Sequence, residues 1–128
     1  MSPIQELTDI TWDEYLKQGK RPMIVMFYAP DCPHCAVMSP VFERYAAEFE
    51  GKVDFIKVDI TENQTLMLRY GIMGTPTFAF FCEGRSVHMV VGEMYPTLIK
   101  KFVEDSLQSS TQCAQNTTWI DVGITGYT

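Results

Sequence analysis

The sequence predicts an α/β fold with a central mixed β-sheet of about five strands, about four flanking helices and a C-terminal extension. Apolar runs and segments of helical periodicity alternate through the first half of the 128 residues, in the order β-α-β-α-β-α. Two further strand-like runs are joined only by the turn Glu83-Gly84 and a neighbouring residue, which is too short for a crossover helix. An amphipathic segment follows them. Parallel strands and a hairpin together make the sheet mixed.

The first half contains three predicted strands, at residues 4–7, 23–28 and 53–60. The second is almost uniformly apolar, as expected for a strand that is covered on both faces. Helices are predicted at about residues 11–18, 33–50 and 61–70, and Gly19, Gly51 and Gly71 end them. Pro40 lies within the second helix, where we expect it to remove one backbone hydrogen bond and bend the axis.

The second half contains predicted strands at residues 77–82 and 86–91 and a final helix at residues 96–107. We therefore expect a single domain over residues 1–108. The tail, residues 109–128, is polar at first and then contains a strand-like run at residues 119–124. We expect it to be flexible or to add an edge strand, in its own chain or in a second copy.

Composition limits the classes of partner. The chain is 46% hydrophobic, enough for one core, and its 16 acidic and 10 basic residues give a net charge of −6. Without a basic cluster or an apolar run of about 18 residues, neither nucleic acid nor a membrane is an expected partner. The N-terminus lacks the features of a signal peptide. We expect a cytoplasmic monomer, or a secreted or periplasmic protein if a leader has been removed.

Two cysteines separated by two residues stand where the second strand gives way to a helix. Cys32 is placed at the helix start, where unpaired N–H groups and the helix dipole favour a thiolate. Cys35 lies about one turn later and is the expected resolving thiol. Such a pair can close a small reversible disulfide. The pattern predicts thiol–disulfide chemistry without any further cofactor.

The residues around the thiols should tune that chemistry. Pro33 suits the first helical turn, because it lacks an N–H that would have no partner there. His34 can donate a hydrogen bond to a sulfur anion or pair with it, so it favours the reduced form. Asp31 opposes this, since its carboxylate disfavours a second negative charge beside it.

Three alternatives to a redox pair fit the residues less well. A zinc site normally has four ligands, and the other candidates, Cys82, Cys113 and His88, stand singly without ligand spacing. Haem attachment needs His directly after the second cysteine, where Ala36 stands. A purely structural disulfide would close too small a ring to restrict the unfolded chain much.

Over roughly residues 4–107 the chain resembles the thioredoxin family. The resemblance rests on residues 27–35 around the cysteines, on Pro40, on the run 70–77 and on two later glycines, Gly84 and Gly92. It implies the thioredoxin fold and a protein-disulfide oxidoreductase that acts on protein disulfides or dithiols with an unidentified reductase or oxidase as redox partner. It also implies that Pro76 is a cis proline facing the cysteines. The implied substrate-binding residues are Tyr28, Asp31, Met73, Thr75, Pro76 and Gly92, with Met94 also at the rim.

The pair between the cysteines and one strand residue depart from the family pattern. Most thioredoxins have Gly-Pro between the cysteines, whereas Pro33-His34 is the pair found in periplasmic disulfide oxidases of the DsbA type. We expect His34 to move the potential from about −270 mV, the thioredoxin value, toward about −120 mV, the DsbA value. Met26 stands where thioredoxins keep a buried acid, and Lys57, the neighbour of that acid, is retained.

These observations predict a thiol–disulfide oxidoreductase with Cys32, Cys35, His34 and Pro33 as its catalytic group. The alternatives are a dedicated disulfide oxidase or isomerase, and a non-catalytic binding module. Cys82 is expected to be an inert core thiol, and a disulfide between Cys82 and Cys113 is the alternative interpretation. His88 is expected to face solvent.

Overall fold

The computed structural model describes residues 3–19 and 21–108. Five strands and four helices follow one another in the predicted order. The strands are β1 (Ile4–Glu6), β2 (Met23–Tyr28), β3 (Asp54–Asp59), β4 (Thr77–Cys82) and β5 (Arg85–Val91). The helices are α1 (Trp12–Gln18), α2 (Pro33–Glu48), α3 (Gln64–Arg69) and α4 (Pro96–Gln108). The predicted α/β class is confirmed, and the predictions for residues 109–128, including those for Cys113, lie outside the described residues.

The strands form one mixed sheet in the order β1-β3-β2-β4-β5. β1, β3 and β2 are parallel, whereas β4 runs antiparallel to β2 and to β5. β2 is the central strand and is buried along almost its whole length, which explains its uninterrupted apolar run. Its carboxyl end leads directly to the paired cysteines.

Two hydrophobic clusters cover the two faces of the sheet. One packs α2 and α4 against the sheet through Phe42, Phe78 and Ile99, among others. The second packs α1 and α3 against the opposite face through Trp12, Phe27 and Leu66. Successive residues of β2 alternate between the two clusters, because side chains alternate along a strand. The helix that carries the cysteines is therefore fixed on one face of a fully packed sheet.

α3 is shorter than predicted. Residues 60–62 form a turn and Asn63 is the N-cap residue, because Asp59 Oδ1 accepts hydrogen bonds from the backbone N–H and the hydroxyl of Thr61. The helix is capped from another element: the carboxylate of Asp9 accepts the N–H groups of Leu66 and Thr65 at 2.9 and 3.3 Å. By contrast, α2 continues through Pro40 as a single helix.

His88, which was expected to face solvent, is half-buried. Its ring lies 4.8 Å from that of Phe102 on α4 and 6.1 Å from that of Phe80 on β4. The β4–β5 register pairs Phe80 with His88 but Phe81 with Ser86, so Val87 is an extra residue in β5. Such a bulge breaks the strict alternation on which the prediction depended. Burial lowers the pKa of His88.

Candidate active site

The paired cysteines lie at the point where the central strand joins α2. β2 ends at Tyr28, Cys32 is the N-cap residue of α2, and Pro33 occupies the first helical turn. Cys32 has an extended backbone, as an N-cap residue usually does. The predicted position of Cys32 at a helix N-terminus is confirmed, and so is the use of proline immediately after it.

Cys32 and Cys35 form a disulfide with their Cα atoms 5.2 Å apart. The two sulfurs have different surroundings. Cys35 is buried, with only 4% of its surface exposed, whereas Cys32 is partly exposed. The backbone N–H of Cys35 donates a hydrogen bond to Cys32 Sγ at 3.1 Å. This donor would stabilise negative charge on Cys32, so the accessible sulfur is also the one better suited to be a thiolate.

Pro76 is preceded by a cis peptide bond, as the resemblance implied. The residue after it, Thr77, begins β4 opposite Phe27 of β2, so Pro76 lies at the end of the sheet from which the chain leads to Cys32. The backbone N–H of Gly92 donates to the carbonyl oxygen of Pro76 at 2.7 Å. Gly92 has φ of 101°, a left-handed conformation that favours glycine. The structure thus brings Pro76 and Gly92 together.

A further side chain joins this group. Nδ1 of His34 contacts Oε2 of Glu93, the residue that follows Gly92. Glu93 was not identified from the sequence, because it lies 59 residues from His34 along the chain. Its position next to Gly92, a residue already expected in the site, was the only available indication. Through this contact the connection between β5 and α4 meets the first turn of α2.

The remaining substrate-binding candidates are placed as follows. Tyr28 is half-buried, and its hydroxyl donates to Glu6 Oε2 on β1 at 2.5 Å. Burial, followed by this hydrogen bond, raises the pKa of Tyr28. Asp31 and Met73 are exposed, the latter by 95%, and Thr75 is partly exposed. Among the contacts described for these residues, none connects them directly to the cysteines.

Met94 was expected at the rim of the site, but it does not lie on the surface. It is only 6% exposed and belongs to the cluster between the sheet and the helices α2 and α4. The sequence suggested a rim residue because Met94 is two positions after Gly92. The Met94 side chain instead helps to anchor the segment between β5 and α4 in the core.

On the central strand β2, Met26 stands where the resemblance led us to expect a buried acid. Its side chain is 1% exposed and lies in the α2-side cluster. Lys57, its register partner on β3, donates from Nζ to Ser39 Oγ at 2.8 Å and lies 3.9 Å from Glu43 Oε2. Ser39 is one helical turn beyond Cys35. The ammonium group of Lys57 therefore has its partners on α2.

Cys82 is buried and takes part in a disulfide, so the expectation of an inert free thiol is wrong. The alternative of a pairing with Cys113 involves a residue outside the described part of the chain. In the part of the chain that the structure describes, no group of three or more His, Cys, Asp or Glu residues could hold a metal ion. Within the same part, no helix combines the length and the apolar character needed to cross a membrane.

Comparison with known proteins agrees with this geometry. The thioredoxin family model matches residues 3–105. Thioredoxin 1 of Nostoc sp. is 35% identical over 107 residues, which cover 84% of this chain and 100% of that protein. The chain belongs to the thioredoxin family. Thioredoxin of Synechocystis sp. is 33% identical over the same share of both chains. Thioredoxin of Staphylococcus aureus is 37% identical over 89 residues, or 70% of this chain and 84% of that one.

As a member of the thioredoxin family, the chain is a thiol–disulfide oxidoreductase. Its five-stranded mixed sheet with four helices is the thioredoxin fold. Cys32 and Cys35, at the start of α2, have the spacing of the family's redox pair and already form a disulfide.

Proposed function

We propose that Cys32 is the nucleophile of a dithiol–disulfide exchange with protein substrates and that Cys35 is the resolving thiol. The observation that carries this assignment is the asymmetry of the pair. Cys35 is buried and donates its N–H to Cys32 Sγ, whereas Cys32 is partly exposed at the N-terminus of α2. The accessible sulfur is thus the one whose anion is stabilised.

In the reductive direction, the Cys32 thiolate attacks one sulfur of the substrate disulfide. A mixed disulfide forms and the other substrate sulfur leaves as a thiolate. Cys35, once deprotonated, attacks Cys32 Sγ and displaces the second substrate thiolate. Two electrons pass to the substrate, and the Cys32–Cys35 disulfide of the structure is the product form of the protein. The oxidative direction is the reverse.

The substrate segment would lie along Thr75 and Pro76, with Gly92 beside it. Thr75 offers backbone groups that an extended peptide can pair with. Met73, which is 95% exposed, provides an adaptable apolar surface for the substrate's side chains. Tyr28 and Asp31 would border the same surface on the β2 side. We assign Pro33 and His34 the tuning of the thiolate rather than substrate contact.

A disulfide oxidase or isomerase is the second candidate, and His34 is the observation that favours it. An imidazole next to the nucleophile stabilises the reduced form and so makes the disulfide a stronger oxidant. A reductive role fits the cytoplasm, where thiols are kept reduced, and an oxidative one fits a secretory or periplasmic compartment. A non-catalytic binding module is favoured only by Met26, because a thioether cannot accept a proton from Cys35.

Trapping of the mixed disulfide tests the assignment of the two thiols. Reduced Cys35→Ser, mixed with a protein disulfide such as insulin, should accumulate a covalent complex through Cys32. Cys32→Ser is the matched control and should accumulate far less, because its remaining thiol is buried. Peptide mapping locates the linked cysteine. Equal trapping by the two variants, or none by either, would overturn the proposal.

A further inference from the structure

Glu93 is the one acidic side chain described as contacting the residues between the cysteines. Its Oε2 meets Nδ1 of His34. Glu93 itself is held in place by its neighbours: Gly92 donates its N–H to the carbonyl of Pro76 at 2.7 Å, and Met94 is buried in the core. The carboxylate is therefore presented from an anchored segment.

We propose that Glu93 is a positioning residue that limits how strongly His34 favours the Cys32 thiolate. It thereby keeps the dithiol more reducing than Pro33-His34 would make it alone. This inference rests on the proposed role of Cys32 as the nucleophile. It concerns the redox equilibrium of the pair, and not the identity of the protein substrate.

The hydrogen bond gives the first reason. A carboxylate only accepts hydrogen bonds, so Nδ1 of His34 is the donor in this contact. An imidazole has two ring nitrogens. Because Nδ1 donates to Glu93, it is not available to donate a hydrogen bond to the sulfur of Cys32. The ring is also tied to a residue on a different element. Its freedom to follow the sulfur when the disulfide is reduced is smaller as a result.

The charge of Glu93 gives the second reason. It adds a negative charge close to the helix start where the thiolate forms, and like charges disfavour one another. His34 and Glu93 are 67% and 41% exposed, so solvent screens both this repulsion and the ion pair between the two side chains. We therefore expect the hydrogen bond that takes Nδ1 away from the sulfur to decide the direction of the effect.

The equilibrium with glutathione measures this effect directly. One glutathione disulfide oxidises the protein dithiol to the Cys32–Cys35 disulfide and yields two glutathione thiols, a transfer of two electrons. The equilibrium constant for this oxidation falls when the protein becomes a stronger oxidant. The variants to compare at constant pH are Glu93→Ala, Glu93→Gln and His34→Ser, with the double variant His34→Ser/Glu93→Ala.

We expect the constant to fall about fivefold in Glu93→Ala, the equivalent of one hydrogen bond of about 1 kcal/mol. Glu93→Gln keeps a hydrogen-bond acceptor without the charge, so it should lower the equilibrium constant by less. In the His34→Ser background, Glu93→Ala should change the constant by less than about twofold, because the residue through which Glu93 acts is gone. Glu48→Gln is the matched control, because Glu48 is also 41% exposed and forms an ion pair with Lys100. This variant should leave the equilibrium constant unchanged.

An unchanged or increased constant in Glu93→Ala would overturn the inference. So would an equal fall in the presence and absence of His34, since Glu93 would then act by its charge alone. If the unmodified protein shows no reversible equilibrium with glutathione, the proposed function itself fails, and that result is recognisable before any variant is made. Glu93→Gln keeps the size of the side chain, so its constant decides the question even if Glu93→Ala folds poorly.

Discussion

Met26 on β2 and Lys57 on β3 are partners in the parallel register, and the Nζ group of Lys57 donates to Ser39 on α2. A buried thioether thus occupies the position beside the lysine where the family places an acid. Cys35 must lose its proton before it can attack the mixed disulfide. Because Met26 stands where the resemblance implies the proton acceptor of the family, we expect this step to be slow.

Met26→Asp should speed the resolution of mixed disulfides. A carboxylate at this position can accept the proton of Cys35 and pair with Lys57, and general base catalysis supports an acceleration of about tenfold or more. Stopped-flow measurement of product release from a preformed mixed disulfide tests this. Met26→Leu is the control, since it changes packing without adding a base. Equal rates for the Asp and Leu variants would contradict the idea.

His34→Ser should make the protein more reducing. Serine lacks the imidazole ring that we expect to favour the Cys32 thiolate, so the reduced form loses that stabilisation. Because a hydrogen bond to a charged group contributes about 1.5 kcal/mol or more, the equilibrium constant for oxidation by glutathione disulfide should rise about tenfold, or about 30 mV. A constant that stays the same or falls would show that His34 does not favour the thiolate.

His88 should make stability depend on pH on the acid side. Burial lowers its pKa in the folded state, whereas in the unfolded chain a histidine takes up a proton near pH 6.5. The unfolded state therefore binds more protons as the pH falls below about 6.5, and stability is lost. His88→Phe keeps a ring against Phe102 without a titrating group. Denaturant unfolding at about pH 7 and pH 5 should show a smaller loss for this variant, and equal losses would refute the prediction.

Trp12 should be a main stabiliser of the face opposite the cysteines. It is fully buried, and its Nε1–H donates to the Tyr70 hydroxyl at 3.0 Å. Its ring also lies 6.3 Å from that of Phe27, next to the end of β2. Trp12→Ala should lower the free energy of unfolding by about 3 to 5 kcal/mol. Urea unfolding tests this, with Trp12→Phe expected to lose less, and a loss under about 1 kcal/mol for the alanine variant would be inconsistent with it.

The sequence predicted the element order and the redox pair because both depend on local patterns. The apolar run of β2, the glycines that end helices and the spacing of Cys32 and Cys35 are all short-range features. The errors came from long-range features. The bulge at Val87 turned His88 toward Phe102, and Asp9, from before α1, capped α3. The contact between His34 and Glu93 depends on the fold that brings the end of β5 to α2, and no local pattern predicts it.

The reduction potential of the Cys32–Cys35 pair tests the account most directly. It is obtained by equilibrating the full chain in glutathione buffers and mapping the reduced thiols, so that the Cys82 disulfide is not counted. We predict one reversible two-electron couple between about −270 mV and about −120 mV, because His34 favours the thiolate while Asp31 and Glu93 oppose it. A pair that shows no reversible couple, or one outside this interval, would contradict the account.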